Sequence, residues 1–213
     1  MRLMSLEIRT EDAVAAAPIE TLEGRRLLLL LHGLGAHERD LVPLAPALGD
    51  DVVIALRAPL PWGPGFAWAE VAMEEAGRGL GLGPAADAVL AWLDALPALG
   101  LGAPAAVRLL GFSQGGAVAL TMLRRAPERF ERLVVLSGFV PDEAEPRDDE
   151  LAARAVPVFW GRGDADPVIP ADAVARTGAW LDRCAAATVR VYPGLGHGVG
   201  EEELQDVARF LAG

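Results

Sequence analysis

The chain has 213 residues, 52% hydrophobic and 23% charged, a balance typical of one soluble globular domain spanning residues 1–213. A formal net charge of −11 without a basic cluster argues against nucleic acid or a membrane surface as a stable partner. Apolar runs fall well short of the roughly 20 residues that cross a bilayer. Cys184 is the only cysteine, so we expect a cytoplasmic protein without an intramolecular disulfide, and we expect this thiol to be buried. All 19 basic residues are arginine, which excludes chemistry that depends on a lysine.

Apolar runs alternate with stretches of helical periodicity along the chain. Residues 3–10 are a predicted antiparallel edge strand, residues 57–83 an irregular excursion, and the acidic residues 142–150 a solvated loop. Further strands are predicted at residues 25–31, 51–56, 105–110, 132–136, 156–160 and 188–192. Helices are predicted at residues 39–48, 84–96, 171–184 and 201–211, with another that ends at residue 125. This alternation predicts an α/β fold in which helices cover both faces of a mainly parallel sheet.

A serine flanked by glycines lies between a predicted strand and a predicted helix. Ser113 occupies the segment GFSQG, which matches the G-x-S-x-G pattern of a nucleophile on a sharp strand-to-helix turn. Side chains at Gly111 or Gly115 would collide with the neighbouring strand or helix, and the helix N-terminus favours a developing negative charge. A serine that merely caps an ordinary helix is the alternative interpretation. Serine occurs otherwise only at positions 5 and 137, and we predict Ser113 as the nucleophile.

A histidine and an aspartate follow this serine in loops after later strands, in the chain order of α/β-hydrolases. Of the three histidines only His197 lies downstream of Ser113, and we predict it as the general base. A loop histidine bound to nearby backbone is the plainer alternative. Asp164 and Asp166 compete as the acid that orients this base. Asp166 is preferred because it stands before Pro167 later in the loop, whereas Asp164 is suited to capping the turn.

Two backbone amides are expected to form an oxyanion hole for the carbonyl oxygen as it gains charge. One belongs to Gln114, which follows the nucleophile, and the other to Leu34, in the HGLG loop after the first apolar strand. Both donors belong to the backbone and remain when the side chain is changed. We therefore expect substitutions at Leu34 and Gln114 to lower the reaction rate less than the loss of an oxyanion donor would. His32 precedes the serine and leaves the strand end directly, so we expect it to support this loop rather than act as the base.

Six segments spread over most of the chain occur in the order of one enzyme family. They are LLHGLG (30–35), RAP (57–59), GFSQGG (111–116), LSG (136–138), GDADPVIP (163–170) and GHGV (196–199). With them the chain resembles the phospholipase/carboxylesterase branch of the α/β-hydrolases, which includes acyl-protein thioesterases and small bacterial esterases. The resemblance implies hydrolysis of a small-molecule ester or thioester, without metal or organic cofactor and often as a homodimer. It assigns the acid to the aspartate before the proline, Asp166.

The chain departs from the family in its aromatic segment, because Trp68 lacks the aromatic neighbour that family members often have. Candidate residues for the lining of an acyl pocket are Trp62, Phe66, Trp68 and Met73, with Val71 beside them. The alternative is that these side chains form a satellite cluster that holds the long loop down.

Other functions share some of these features. A lactonase, a dienelactone-type hydrolase or a peptidase would use the same constellation, and a binding protein can retain the fold without catalysis. Residues 164–168 also resemble the D-x-D-x-[TV] signature of haloacid-dehalogenase-like phosphotransferases, but that chemistry needs a later lysine, and the chain has none. We therefore expect a serine hydrolase that cleaves carboxylic esters or thioesters.

Overall fold

The computed structural model describes residues 6–70, 81–143 and 145–213. Its strands are β1 (Val14–Ala15), β2 (Arg26–Leu31), β3 (Val52–Leu56), β4 (Leu60–Trp62), β5 (Gly65–Ala67), β6 (Ala106–Phe112), β7 (Phe130–Leu136), β8 (Pro157–Gly163) and β9 (Ala186–Tyr192). Its α-helices are α1 (Gly83–Ala95), α2 (Gln114–Arg125), α3 (Asp148–Arg154), α4 (Ala171–Cys184) and α5 (Glu201–Ala212). Short 3-10 helices occupy Thr10–Asp12, Val42–Ala47 and Pro127–Arg129.

Within these described ranges, seven strands form one sheet in the order β1-β3-β2-β6-β7-β8-β9. From β3 to β9 every neighbouring pair is parallel, whereas β1 is antiparallel to β3. The predicted edge strand at residues 3–10 is wrong in position, because the edge strand is Val14–Ala15 and a 3-10 turn precedes it. Arg57 binds the carboxylate of Asp12 at 2.7 Å and holds this turn beside the end of β3. Residues 3–5 lie outside the described residues.

Both faces of the sheet are covered, because alternate side chains of β2 point into different apolar clusters. Leu27, Leu29 and Leu31 lie in one buried cluster with residues of α1, α2 and α4. Leu28 and Leu30 lie in a second cluster with residues of α5 and the 3-10 helix Val42–Ala47. The predicted fold class, a mainly parallel sheet with helices on both faces, is confirmed.

Residues 57–70, the part of the predicted excursion that precedes residue 71, have more structure than predicted, and residues 71–80 lie outside the described residues. β4 and β5 pair as an antiparallel hairpin, and Phe66 in β5 also forms a bridge with Ala36 in the loop after β2. The helix predicted at residues 39–48 is instead the 3-10 helix Val42–Ala47. Pro46 lies inside it, and a proline has no backbone N–H to donate to an α-helical hydrogen bond.

The acidic residues 142–150 are not merely a solvated loop, and that prediction is wrong for their second half. Asp148 begins α3, and its carboxylate accepts two hydrogen bonds of 2.9 Å from Arg124. The Arg124 side chain is only 4% exposed, and a buried guanidinium requires a carboxylate partner. Charge density along the chain does not show which acidic residues provide such partners.

The loops that follow β2, β6, β8 and β9 leave the sheet at the carboxyl ends of parallel strands. Carboxyl ends of parallel strands meet at one edge, which is where open α/β sheets place their binding sites. Residues 32–36, 113, 164–170 and 193–200 therefore lie along a single edge of the sheet.

Candidate active site

Ser113 lies at the sharp turn between β6 and α2, with φ 52° and ψ −118°. A left-handed φ is uncommon for a residue other than glycine, and functional sites are where such strain accumulates. The turn is tight on both sides. A Cβ at Gly111 would overlap the Gly115 carbonyl, and a Cβ at Gly115 would overlap the Leu31 carbonyl. The glycines flanking Ser113 are thus required by the close approach of helix and strand.

His197 lies in the loop between β9 and α5 and reaches back to the β6 turn. Its Nε2 lies 2.9 Å from the Ser113 hydroxyl oxygen, although 84 positions separate the two residues. The imidazole is 17% exposed, while Ser113 is 8% exposed. The ring also packs on Phe112, with 5.0 Å between ring centroids. Serine and histidine are therefore in hydrogen-bonding contact, in a site that remains open to solvent at the imidazole.

Asp166 completes a continuous chain of hydrogen bonds. Its Oδ2 lies 2.8 Å from His197 Nδ1, and its Oδ1 accepts from the amides of Val168 at 2.8 Å and Ile169 at 3.3 Å. Burial alone would raise the pKa of the Asp166 carboxyl, but the hydrogen bonds from His197 and the two amides lower it below its ordinary value. An ionised Asp166 requires the Nδ1 proton on His197, which leaves Nε2 free to accept the Ser113 proton.

Asp164 occupies a different position in the same loop. Its Oδ1 accepts a hydrogen bond of 2.6 Å from the Gly194 amide, so it ties the loop after β8 to the loop that carries His197. Of the two aspartates that compete on sequence grounds, only Asp166 contacts the imidazole among the contacts of the described residues.

The two predicted oxyanion donors lie on either side of the Ser113 turn. Gln114 is the first residue of α2, where backbone amides have no intrahelical acceptor. Leu34 lies in the loop after β2, which is held by hydrogen bonds from Gly35 N–H to the Phe66 carbonyl, 2.8 Å, and from Phe66 N–H to the Ala36 carbonyl, 2.9 Å. Within the described part of the chain, neither the Leu34 nor the Gln114 amide donates to another protein group.

His32 lies at the start of the loop after β2 and holds it through hydrogen bonds, as expected. It is 2% exposed, its Nδ1 lies 2.8 Å from the Gly33 carbonyl, and its Nε2 accepts from the Ala58 amide at 3.1 Å. Burial lowers the pKa of this imidazole, and the Ala58 contact also needs an unprotonated Nε2. His32 is therefore a neutral, buried side chain.

The aromatic residues predicted to line an acyl pocket fall into different environments. Trp62 lies beside the backbone of Gly35, and Phe66 is partly buried with the Arg57 guanidinium 4.6 Å above its ring. Trp68 is 0% exposed and packs against His32, so it belongs to the core beneath the site rather than to an accessible wall. Met73 and Val71 lie outside the described residues.

Three further residues near this edge were not assigned a role on sequence grounds. Glu38 and Arg57 form a bidentate ion pair beneath the loop that carries Leu34. Glu203, in the first turn of α5, is 0% exposed and accepts from the Gly200 amide at 3.2 Å. A glutamate at the third position of a helix, where its carboxylate can accept from the backbone N–H of the residue before the helix, is the sequence signal that points to it; Gly200 has no side chain to complete a capping box. No comparable local pattern predicts the Glu38 and Arg57 pair.

Metal ligation and membrane insertion have no visible support in the described ranges. No group of three or more His, Cys, Asp or Glu side chains there is arranged to hold a metal ion. Nor does any helix in the same ranges combine the length and the hydropathy of a bilayer span.

The fold, with its serine on a strained turn after a central parallel strand, defines an α/β-hydrolase. A family model described as phospholipase/carboxylesterase matches residues 85–213, and the chain belongs to this family. The predicted resemblance is thereby confirmed.

Curated relatives match over part of their length. Acyl-protein thioesterase 1 of Debaryomyces hansenii is 36% identical over 104 residues, which are 47% of this chain and 45% of that protein. A probable carboxylesterase of Oryza sativa subsp. japonica is 30% identical over 110 residues, 51% of this chain and 41% of that protein. The matched segment thus spans less than half the length of either relative.

Solved structures match over nearly the whole chain. Esterase PE8 superposes with a TM-score of 0.76 at 26% identity, covering 98% of this chain and 99% of that one. A carboxylesterase from Mesorhizobium loti gives a TM-score of 0.73 at 22% identity, with 98% and 99% coverage, and shows the likeness of fold alone.

Proposed function

We propose that this protein is a serine hydrolase that cleaves carboxylic esters of small molecules through an acyl-enzyme at Ser113. The observation that carries the proposal is the chain of hydrogen bonds from Asp166 through His197 to Ser113, 2.8 Å and 2.9 Å long. Nucleophile, base and orienting acid lie in the mutual geometry that serine hydrolysis requires. The family and its esterase and thioesterase members support the same chemistry.

The reaction begins when His197 Nε2 takes the Ser113 proton as the hydroxyl oxygen attacks the ester carbonyl. Asp166 holds the imidazole in its tautomer and stabilises the imidazolium, while the Leu34 and Gln114 amides stabilise the oxyanion. The intermediate collapses as the C–O bond to the alcohol breaks and the imidazolium protonates the leaving oxygen. Water, deprotonated by His197, then attacks the acyl-enzyme and releases the acid. No step needs a metal or an organic cofactor.

Thioester hydrolysis is the second candidate, because relatives with 30–36% identity carry the name acyl-protein thioesterase 1. The same residues would act on a thioester, with a thiol as the leaving group. Lactonase, dienelactone-hydrolase and peptidase activities would also use them. Turnover of matched short-chain esters, thioesters, lactones and peptides, compared by kcat/KM, separates these substrates and also separates all of them from a non-catalytic binding protein.

A fluorophosphonate probe followed by mass mapping of the modified peptide tests the proposal directly. We expect one label, on Ser113, and its loss in Ser113→Ala, with turnover reduced by several orders of magnitude in a folded protein. Ser137→Ala is the matched control, since that serine lies at the end of the neighbouring strand β7 and is 1% exposed. A label on another residue, or substantial ester hydrolysis by Ser113→Ala, contradicts the proposal.

We further propose that residues 1–213 act as one domain, that the protein resides in the cytoplasm, and that it forms a homodimer without stable membrane association. The sheet, which draws its strands from residues 14–192, and the single cysteine, which is 1% exposed, support the first two statements. Sedimentation velocity tests the oligomeric state, and cell fractionation tests the location.

A further inference from the structure

Trp68 makes hydrogen bonds to both halves of the proposed oxyanion hole. Its indole Nε1 donates to the His32 carbonyl at 2.8 Å, two residues before Leu34. Its backbone N–H donates to the side-chain Oε1 of Gln114 at 2.9 Å. One residue thus connects the loop that carries one amide donor to the residue that carries the other.

The connection is buried and its polar groups are paired. Trp68, His32 and Gln114 are all buried. The Gln114 amide group also donates from Nε2 to the Ala69 carbonyl at 3.2 Å, so its side chain binds two consecutive residues of this segment. Buried polar groups that lose a partner are costly, and a fully paired buried network holds a single arrangement.

The indole is also packed in place. Its ring centroid lies 5.4 Å from that of His32, whose Nε2 in turn accepts from the Ala58 amide at the end of β3. The segments after β2 and β5 therefore meet at Trp68 and His32, and the segment after β3 holds the imidazole on which the indole packs. A displacement of its indole would release the His32 carbonyl and free the loop that carries Leu34.

We propose that Trp68 is a positioning residue that sets the separation between the Leu34 and Gln114 amides. The inference rests on the proposed function, because it needs those two amides to be the oxyanion donors. It replaces the expectation that Trp68 lines an acyl pocket. It also changes the expectation for Gln114, whose side chain matters through its bonds to Trp68 and Ala69 as well as through its backbone.

Such a role affects the transition state and not the bound substrate. The oxyanion exists only as the tetrahedral intermediate forms, so misplaced donors lower kcat and leave KM nearly unchanged. A wall of the acyl pocket would behave in the opposite way, with a rise in KM. A general packing role would lower the folding stability without favouring either constant.

The test is Trp68→Phe, which keeps an aromatic ring and removes the indole N–H. Trp92→Phe is the matched control, because Trp92 is also buried and its Nε1 donates to Thr10 Oγ1 at 3.1 Å, a residue outside the two segments that carry the amide donors. For each protein, kcat and KM for p-nitrophenyl acetate, the Ki of a short alkylboronic acid and the melting temperature are measured. The boronic acid forms a tetrahedral adduct with the serine whose oxygen occupies the oxyanion position.

We expect Trp68→Phe to lower kcat by about 10- to 100-fold, less than complete loss of a donor, and to raise the boronate Ki by a similar factor. KM should stay within about threefold, and Trp92→Phe should retain kcat. A folded Trp68→Phe with unchanged kcat overturns the inference, as does a rise in KM alone or an equal loss of kcat in both variants.

Gln114→Met removes the side-chain hydrogen bonds from Gln114 to Trp68 and Ala69, and it is the test variant if Trp68→Phe does not fold. It should also lower kcat with KM retained, and kcat close to that of the wild type overturns the inference. Fluorophosphonate labelling of the wild type distinguishes a failure of the proposed function from a failure of the role proposed for Trp68. If Ser113 is labelled and these variants are unaffected, only the role of Trp68 fails; if Ser113 is not labelled, the proposed function fails and takes the oxyanion assignment with it.

Discussion

The guanidinium of Arg57 binds the carboxylate of Glu38 through two parallel hydrogen bonds of 2.8 Å each. Glu38 is four residues beyond Leu34, and its side chain is 5% exposed. Arg57 also stacks on Phe66 and binds Asp12, so it links the loop after β2 to the hairpin and to the N-terminal turn. The hydrogen bonds from Arg57 lower the pKa of Glu38 from 4.5 to about 2.

Replacing this arginine should destabilise the protein in a pH-dependent way. Arg57→Ala leaves the Glu38 carboxylate buried without its partner, and we expect a loss of about 2 kcal/mol at pH 7, below the range for fully buried pairs. Because the pKa of Glu38 is depressed, the contribution of the pair is complete above pH 4.5 and is lost as the pH falls toward about 2. Urea unfolding at pH 7 and pH 3.5 should therefore show that the free energies of unfolding of the wild type and Arg57→Ala differ less at pH 3.5.

Arg9→Ala is the control for this prediction, because the pair of Arg9 with Glu11 is 65% and 64% exposed. Exposed pairs contribute about 0–1 kcal/mol. Equal losses in the free energy of unfolding of Arg57→Ala and Arg9→Ala would contradict the stabilising role given to Arg57.

Glu203 should make the protein less stable above neutral pH. Burial raises the pKa of this carboxyl from 4.5 to about 7, with the Gly200 amide lowering it and Asp206 nearby raising it. The folded state then holds a proton that the unfolded state has lost, so stability falls as the pH rises from 4.5 to about 7. Glu203→Gln removes this titration and should be more stable than the wild type at pH 8 by roughly 2 to 3 kcal/mol, with a much smaller difference at pH 5.

Glu202→Gln provides the comparison on the same helical turn, since Glu202 is exposed. Thermal or urea unfolding of the three proteins at both pH values gives the result. A Glu203→Gln effect that is equal at pH 5 and pH 8 would show that the titration of this carboxyl does not control stability.

The two aspartates of the loop after β8 should differ strongly in their effect on turnover. Asp166→Asn replaces the acceptor of the His197 Nδ1 proton, and we expect kcat to fall by about 10⁴-fold. Asp164→Asn retains an oxygen that accepts from the Gly194 amide, so its kcat should stay within about tenfold of the wild type. Steady-state ester hydrolysis measures both. A greater loss in Asp164→Asn would reverse the assignment of the acid.

The glycines around the nucleophile should not tolerate a side chain. At Gly115 a Cβ would overlap the Leu31 carbonyl, which is backbone and cannot move aside, so Gly115→Ala should cost about 2 to 4 kcal/mol. At Gly198 nothing lies within 4 Å of an added Cβ, and Gly198→Ala should change stability by less than about 1 kcal/mol. Melting temperatures of the two variants distinguish steric exclusion at the turn from a general sensitivity of glycines at this edge.

Much of this protein follows from its sequence, because the relevant information is local. The unbroken apolar run of residues 27–31 predicts a strand covered on both faces, and helical periodicity predicts α1, α4 and α5. The glycines around Ser113 predict its turn for the same reason. The order of Ser113, Asp166 and His197 along the chain needs only the positions of the strands that precede them.

The partners of the buried polar groups were decided by the tertiary structure alone. Asp164 and Asp166 have the same chemistry and lie two positions apart; Pro167 and the family resemblance favour Asp166, but the contact with His197 itself depends on the packing of two loops 31 positions apart. The same holds for Trp68, an apparent pocket residue that lies in the core, and for Glu38 with Arg57, 19 positions apart. A buried donor or acceptor must find a partner wherever the fold brings one, and that choice depends on the folded geometry rather than on neighbours in the chain.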